Sequence, residues 1–415
     1  MSNLGKNNTI LGNPKILIIV MANTMVYSDQ ISGGDRLFIE ISKHLDPAKY
    51  ELKVITTKVG ESLWRGSNTG AEVICLPSSF FERMPLLPVV PIIYAIRTIY
   101  AFLHTYKVIS SSRDRVVLLY SSSDFMPDVF PPFLIKLLKK DIFWISRIYH
   151  IIPLHRDVGN FVLNFLSFIG QRISFFLMKK KSDLILCLNP FLYQQLLNLG
   201  FSNTNMSISG AGIDIDYIDS IEPEAEKCYD GIFVGRIHPA KGVYDLIEIW
   251  KNVVTKKKDA KLAIIGGGDK RIVYSLKRKI CESGLQDNVD YLGFISDNQK
   301  VYKLLKSSKV FLFADHEAGW SLATCEAMAC GLPVVAYNLE IFGTIFKQGF
   351  VTVPLYNIKK FSEEILHLLT DDKKRSDLAE EARQQAKSFS WKKVAEGFSN
   401  QIESMLKARD LTGSI

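Results

Sequence analysis

The sequence predicts an α/β protein with two doubly wound domains, each a parallel sheet covered by helices on both faces. Three observations predict this fold class. Short apolar runs alternate with longer segments of helical periodicity. The runs are continuously apolar, as strands buried on both faces require. The length of 415 residues exceeds one ordinary core, and the polar segment 222–227 marks a boundary.

The elements follow in chain order. In the first half, strands are predicted at 15–21, 52–56, 116–120, 142–149 and 184–188, with a helix at 34–45. In the second half, strands are predicted at 231–235, 262–265, 289–292, 310–313, 333–336 and 351–353, separated by helices at 243–254, before 281, at 297–305 and at 321–330. The predicted domains are 1–221 and 228–388. A last helix in 389–415 is expected to pack back on the first domain.

The composition of the chain limits the classes of function that it can have. A net charge of +8 favours anionic partners such as phosphates or anionic lipid, and is too weak to indicate nucleic acid. The six cysteines form no C-x-x-C pair, which favours reduced thiols. The most apolar window, 89–106, contains Pro91, Arg97 and His104, so no spanning helix is expected there. We therefore expect a cytoplasmic protein.

A basic loop follows the strand that ends at Gly235. It places Arg236 and Lys241 five residues apart before a helix. A fork-shaped arginine and a mobile lysine suit the two phosphates of a diphosphate. Two ordinary solvated cations explain the loop equally well on position alone.

The segment 316–333 is the most informative. Gly319 and a capping Ser321 precede a helix whose free N–H groups favour an anion. Glu326, about one turn in, has the geometry to accept both hydroxyls of a ribose. Alone, it is equally a first-turn carboxylate that interacts with the helix dipole.

Two glycine turns add weaker signals. Gly266-Gly267-Gly268 follows one predicted strand, and Gly33-Gly34 follows the first strand and opens a helix. Both permit close approach of a ligand to the backbone, although turns use glycine routinely.

Together these segments resemble the retaining glycosyltransferases of family 4. The segments that carry the resemblance are Gly33-Gly34, Gly212-Ile213-Asp214, Val234-Gly235-Arg236 with Lys241-Gly242, Ile265 to Gly268, Tyr291 to Phe294, and Glu326 to Ala336. The resemblance covers the whole chain and is specific in the second domain. It implies the GT-B fold, two Rossmann-like domains facing a central cleft, and a nucleoside diphosphate sugar as donor, with no cofactor or metal required. The implied donor-binding residues are Gly33, Gly34, Gly235, Gly266, Gly267, Phe294, Gly319, Trp320, Ser321, Leu322 and Glu326.

One departure concerns the first of the family's paired glutamates. Ala318 stands eight residues before Glu326, where the family has a glutamate. Glu317 is one position away and is the candidate for that role, with backbone groups as the alternative. If no group takes the role of this first glutamate, the protein would instead bind donor without turning it over.

Three further residues, His150, Asp214 and Asp216, have both a functional and a local interpretation. The resemblance implies that His150, at a strand end, faces the donor sugar; a histidine satisfied by nearby backbone is the alternative. Asp214 and Asp216 match a metal motif formally, but Asp214 belongs to the Gly-Ile-Asp element. We therefore predict no metal site.

An aromatic, apolar stretch at 161–178 ends in Lys179-Lys180-Lys181. Such segments contact anionic membrane, although a core helix with a solvated basic end is the alternative. The resemblance adds that such enzymes often act on lipid-linked acceptors. Under the membrane interpretation, the cytoplasmic protein makes peripheral contact with the inner face of the cell membrane; under the core interpretation it does not.

The sequence therefore predicts transfer of a sugar from a nucleoside diphosphate sugar to an acceptor hydroxyl of a glycan or lipid-linked acceptor. Arg236, Lys241, Glu317 and His150 are the predicted catalytic residues. The expected setting is assembly of a glycolipid, a polysaccharide or a glycoprotein glycan. The rival interpretations are a non-catalytic subunit that binds nucleotide-sugar and a sugar-nucleotide 2-epimerase.

Overall fold

The computed structural model describes residues 15–24, 33–80, 89–112, 115–154, 161–223 and 229–412. The chain divides into two compact units. The first contains residues 1–188, 192–209 and 395–415, and the second contains 189–191 and 210–394. The predicted boundary at 222–227 lies mostly outside the described residues.

The first unit is built on a parallel sheet of seven described strands in the order β3-β2-β1-β4-β5-β6-β7. The strands are β1 Ile16–Ala22, β2 Tyr50–Thr56, β3 Glu72–Cys75, β4 Val117–Ser121, β5 Phe143–Ile148, β6 Leu184–Cys187 and β7 Met206–Ile208. The helices are α1 Gly33–Lys43, α2 Lys58–Gly66, α3 Val90–Ser111, α4 Met126–Leu138, α5 Phe161–Lys181 and α6 Pro190–Asn198.

The central strands of this sheet are buried on both faces. β4 and β5 have no exposed residue, and β1 has six buried residues out of seven. Their apolar runs therefore pack against helices on either side, as the continuous pattern predicted. Among the described helices, none is long and apolar enough to cross a membrane.

The second unit holds a parallel sheet of six described strands in the order β10-β9-β8-β11-β12-β13. The strands are β8 Tyr229–Val234, β9 Leu262–Ile265, β10 Val289–Gly293, β11 Ser308–Phe313, β12 Val334–Tyr337 and β13 Phe350–Val353. The helices are α7 Ile215–Ser220, α8 Val243–Lys256, α9 Lys270–Glu282, α10 Asn298–Lys306, α11 Leu322–Ala329, α12 Ile341–Thr344, α13 Ile358–Thr370 and α14 Asp372–Ala386.

Two apolar cores cover the two faces of the second sheet. One contains Trp250 of α8 and Phe361 of α13, and the other contains Met328 of α11 and Phe346. Alternate residues of β11 divide between them, since Leu312 belongs to the first core and Phe311 to the second. This alternation confirms the doubly wound arrangement predicted for the second half.

The last helix, α15 Trp391–Thr412, contributes its residues from 395 onward to the first unit. The ring of Phe398 packs edge-on against Phe38 and Tyr120, with centroids 5.6 and 5.7 Å apart. About one turn further along the helix, Glu403 forms an ion pair with Lys49. The contacts of Phe398 add buried aromatic area to the first unit.

Candidate functional site

The strand order of the second unit places a binding crevice at one point. Chain order runs outward from β8 to β9 and β10 on one side, and then to β11 on the other side of β8. Ligands of doubly wound sheets bind at this reversal, beyond the carboxyl ends of the two strands. The loops that follow β8 and β11 are 235–242 and 314–321, which hold the predicted basic loop and the glycine turn.

These two loops are joined through the backbone. The N–H of His316 donates to the carbonyl of Ala240 at 2.9 Å. Gly242 has a φ of +63°, and a Cβ there would lie 1.9 Å from the carbonyl oxygen of Ala314. Only glycine permits this approach, so the positions of the two loops are set together.

Lys241 forms an ion pair with Asp315, a residue that the sequence analysis did not single out. The Asp315 side chain is 5% exposed and the Lys241 side chain 28% exposed. Burial raises the pKa of Asp315, and the positive charge of Lys241 opposes that rise. The lysine is therefore held at the crevice by a buried carboxylate, and it also compensates that carboxylate's charge.

Arg236 and Glu317 lie on different loops, and both act electrostatically on His238. Arg236 is exposed and forms no hydrogen bond or ion pair with the residues that the structure describes. Burial lowers the pKa of His238, the charges of Arg236 and Lys241 lower it as well, and the charge of Glu317 raises it. The four side chains thus share one electrostatic environment at the crevice, in which Arg236 is exposed to an anion and Lys241 is held by Asp315.

A second, partly buried network connects the β11 loop to α8. Asp245 of α8 accepts hydrogen bonds from the Tyr337 hydroxyl at 2.9 Å and from Nε2 of His316 at 3.0 Å. Burial, followed by the charge of Asp245, raises the pKa of Tyr337. The imidazole of His316 is therefore oriented toward α8 and connects the β11 loop to that helix.

The glycine turn after β9 lies beside the β8 loop. The N–H of Ile237 donates to the Gly267 carbonyl at 2.8 Å. Gly266 has a φ of +151°, and a Cβ there would lie 1.7 Å from the Gly235 carbonyl oxygen. Phe294, beyond β10, is 75% exposed, and its Cβ would lie 3.4 Å from a Cβ on Gly267. An exposed ring beside the turn is available for stacking on a planar ligand.

Helix α11 begins where the sequence predicted. Ser321 is its N-cap, and its Oγ accepts from the N–H of Thr324 at 3.2 Å. Leu322 is the first helical residue. Glu326 accepts a hydrogen bond from the hydroxyl of the buried Tyr302 at 3.0 Å. The cap is confirmed, and the tyrosine is a partner of Glu326 that only the structure reveals.

The neighbouring residues of the turn differ in exposure. Gly319 is exposed, whereas the Trp320 ring packs edge-on against Phe389, with centroids 5.9 Å apart. A Cβ on Gly210 would lie 2.6 Å from the Trp320 ring. The tryptophan side chain is therefore largely committed to packing within the second unit.

In the first unit, His150 follows β5 and is exposed. Its turn is held by Gln171 of α5, which is 1% exposed. The Gln171 amide donates to the His150 carbonyl at 2.9 Å and to Asp124, and its Oε1 accepts from the Ile152 N–H at 2.8 Å. Burial raises the pKa of Asp124 to about 6. Sequence reasoning missed both Gln171 and Asp124, because neither belongs to a motif.

The remaining candidates have simple local roles. Gly33 and Gly34 begin α1. Asp214 is the N-cap of α7, since its Oδ1 accepts from the Tyr217 N–H at 3.1 Å, and Asp216 lies in the first turn of that helix. Among the described residues, no group of three histidine, cysteine or carboxylate side chains has the arrangement to hold a metal ion.

Comparison with known proteins agrees with this arrangement. Residues 214–385 match the family model described as glycosyl transferases group 1. An uncharacterized glycosyltransferase of Methanocaldococcus jannaschii is 26% identical over 60% of this chain, and the match spans 66% of that protein, just under two thirds. A second uncharacterized glycosyltransferase of the same organism is 22% identical over 94% of this chain and 99% of its own length. The chain is therefore similar in sequence to glycosyltransferases, and in residues 214–385 to group 1.

Solved structures show the fold. The Anabaena HepE protein in complex with UDP has a TM-score of 0.70 at 15% identity, over 94% of this chain and all of that one. Sucrose-phosphate synthase from Thermosynechococcus elongatus has a TM-score of 0.71 at 15% identity, over 95% of this chain and all of that one. The two parallel sheets with alternating helices match the GT-B architecture, so the predicted fold class is confirmed.

Proposed function

We propose that the protein is a retaining glycosyltransferase that moves a sugar from a nucleoside diphosphate sugar to an acceptor hydroxyl of a glycan or a lipid-linked acceptor. The observation that carries this proposal is the pair of cations, Arg236 and Lys241, at the reversal of strand order in the second unit. The N-terminus of α11 follows the adjacent strand and adds free N–H groups. This chemistry suits a diphosphate.

The cations have a catalytic task in this reaction. Glycosyl transfer proceeds through an oxocarbenium-like transition state, in which negative charge grows on the departing diphosphate. Arg236 and Lys241 neutralise that charge, and the α11 N–H groups stabilise it further by donating hydrogen bonds. Preorganised donors of this kind are each worth about 10²–10³ in rate, or roughly 3–4 kcal/mol. Because Asp315 holds the Lys241 ammonium, little reorganisation is needed.

Other residues are candidates for binding the nucleoside half of the donor. Glu326 accepts from the ribose hydroxyls, and the bond from Tyr302 orients its carboxylate. The exposed ring of Phe294 stacks on the base, beside the backbone of Gly266 and Gly267. In this proposal Gly235 and Gly319 let the backbone approach the phosphates closely.

Two side chains are assigned to the sugar of the donor. Glu317, exposed on the β11 loop near His238, takes the role of the displaced glutamate. His150 donates or accepts a hydrogen bond at a sugar hydroxyl. The acceptor hydroxyl attacks on the face that the diphosphate leaves, which retains the anomeric configuration.

A donor panel tests the proposal directly. Purified protein is incubated with UDP-, GDP- and ADP-sugars, and release of nucleoside diphosphate is measured with and without acceptor. Arg236→Ala should lower turnover by at least about 10²-fold. Arg271→Ala, at a cation that is 93% exposed, is the matched control. Equal turnover in the parent and Arg236→Ala contradicts the assignment.

Two further readouts separate the alternatives. Proton NMR of the product gives its anomeric configuration, and an inverted product rejects the retaining mechanism. Incubation of donor alone reveals an epimerised sugar if the protein is an epimerase.

We also propose that no metal is required, so turnover should persist in EDTA. Loss that manganese or magnesium restores would refute this and point to Asp214 and Asp216.

We further propose peripheral contact with an anionic membrane through the first unit. α5 exposes Phe161, Phe165 and Phe176, and it ends in Lys179-Lys180-Lys181. A helix with an exposed apolar face and a cationic end binds anionic bilayers. Flotation with vesicles that contain phosphatidylserine tests this proposal, and equal recovery with neutral vesicles contradicts the electrostatic part of it.

A further inference from the structure

A cavity of about 470 Å³ opens in the first unit among α3, α4 and α5. Its lining is apolar except for the hydroxyl-bearing side chains of Tyr94, Thr98 and Ser167. The hydroxyl of Thr98 already donates to the carbonyl of Tyr94 at 2.7 Å. The cavity therefore offers a ligand few hydrogen-bonding groups, and it suits one without polar atoms.

The composition of the lining restricts the class of ligand that the cavity can bind. A peptide would bring backbone N–H and C=O groups, and each would lose its water without gaining a partner there. A hydrocarbon chain has no such groups. The volume lies within the ordinary range for small-molecule sites, about 300–1,000 Å³. The chemistry of the cavity thus favours an aliphatic chain.

The cavity lies at the carboxyl edge of the first sheet. Helices that connect parallel strands run back against the strand direction, so their N-termini lie at that edge. Val90 at the start of α3 and Met126 at the start of α4 both line the cavity. This is the edge at which β5 leads into the turn of His150.

The cavity and the His150 turn share the same stretches of backbone. Phe125 and Gly170 line the cavity, and each is the chain neighbour of a residue in the polar clamp, Asp124 and Gln171 respectively. Gln171 in turn donates to the carbonyl of His150. The wall of the cavity is therefore continuous in the chain with the residues that hold the His150 turn.

The surface around the cavity indicates where the chain comes from. Phe165, Ile169 and Ile173 of α5 recur every four residues and are exposed, and two of them line the cavity. Further along the same helix, Lys180 lies 4.3 Å from the ring centroid of Phe176. An apolar stripe with a cationic end complements an anionic lipid surface, so membrane lipid is the source we favour.

We propose that this cavity binds the hydrocarbon chain of a lipid-linked acceptor and brings its hydroxyl to the His150 side of the first unit. This inference rests on the proposed function for the transfer step. The binding of the chain itself does not depend on it, because every lining residue belongs to the first unit.

Calorimetric titration of the full chain with hexanoate, octanoate, decanoate and dodecanoate tests the cavity. Affinity should rise about fourfold per added CH₂ until the cavity is filled. Gly170→Leu should weaken dodecanoate binding at least about tenfold. A Cβ at Gly170 would meet only Met126, at 3.7 Å from its sulfur, so the leucine extends into the cavity without striking backbone. Ala95→Leu, from α3, fills the cavity from the opposite wall and serves if Gly170→Leu fails to fold.

Gly397→Leu is the matched control. It makes the same change in α15, where a Cβ has no neighbour within 4 Å. It should bind dodecanoate like the parent. Affinity that does not depend on chain length, unchanged binding in Gly170→Leu, or an equal loss in Gly397→Leu would each overturn the cavity assignment.

The acceptor role is tested with alkyl glucosides of increasing chain length as acceptor probes. Acceptor KM should fall with chain length in the parent and in Gly397→Leu, but not in Gly170→Leu, while donor KM stays the same. An acceptor KM that ignores chain length in the parent overturns the acceptor role. Binding of UDP, GDP and ADP, measured on the same samples, separates the two proposals. Failure of all three with dodecanoate binding intact rejects the transferase and leaves the cavity.

Discussion

Replacement of Lys241 by alanine should affect both turnover and stability. The sequence placed this lysine in a loop, where its loss would cost little packing. The structure pairs it with Asp315, whose side chain is 5% exposed, while the lysine is 28% exposed. Removal of one partner from a fully buried pair costs about 3–5 kcal/mol, whereas an exposed pair contributes about 0–1 kcal/mol. With a buried carboxylate and a partly hydrated ammonium, we expect about 2–3 kcal/mol.

Differential scanning fluorimetry measures this cost. For a unit of this size, the loss corresponds to a decrease in Tm of about 4–12 °C. Lys241→Ala combined with Asp315→Asn should recover most of the stability, because the buried group is then neutral. Turnover should stay at least about 10²-fold below the parent in both variants, since both lack the cation.

The pH dependence supplies an independent check. Burial raises the pKa of Asp315, so the folded unit holds that proton more tightly than the unfolded chain. In Lys241→Ala the pKa rises further, because the opposing positive charge is gone. The destabilisation should therefore be smaller at about pH 5 than at about pH 7. A Lys241→Ala protein as stable as the parent, or a double variant no more stable than the single one, would refute the reasoning.

Three other predictions concern the two units. Tyr302→Phe should weaken binding of nucleoside diphosphate about fivefold by calorimetry, because Glu326 loses one oriented hydrogen bond worth about 1 kcal/mol; unchanged affinity would separate Glu326 from the ribose. Gly266→Ala should cost about 2–5 kcal/mol in urea unfolding, since its Cβ would overlap a carbonyl oxygen, whereas Gly284→Ala, at a φ of +67° with open space, should cost about 1–2 kcal/mol. The first unit should lose stability as pH rises from about 4 through about 6, because burial raises the pKa of Asp124 to about 6. Asp124→Asn should flatten that dependence in a Tm series, and an unaltered slope would assign it to another group.

The loops that line the candidate site were predictable from local patterns. Each follows an apolar run, and glycine, a capping serine or paired cations mark its start. The cap at Ser321 and the strand that leads into Arg236 are confirmed within a residue or two. These features depend on backbone preferences and short-range hydrogen bonds, so sequence neighbours are sufficient to specify them.

Other elements were missed for identifiable reasons. Strands β3 and β7 have four and three residues, too few for a period to emerge. Helix α4 contains Pro131 and Pro132, which normally argue against a helix interior. Helix α3 occupies the apolar window in which no spanning helix was expected, and Arg97 is buried there, donating to the Asn23 carbonyl at 2.8 Å.

The sequence by itself determined the fold class, the succession of strands and helices, and the loops that carry the cations and glycines. Only the tertiary structure decided which side chains meet: Asp315 with Lys241, Tyr302 with Glu326, and Gln171 with the turn of His150. The partners in these pairs are 74, 24 and 21 residues apart in the chain. Periodicity and capping reflect forces between near neighbours, whereas contacts at such separations arise when the sheet brings strand ends and helices together, and no local pattern encodes which residues will then face one another.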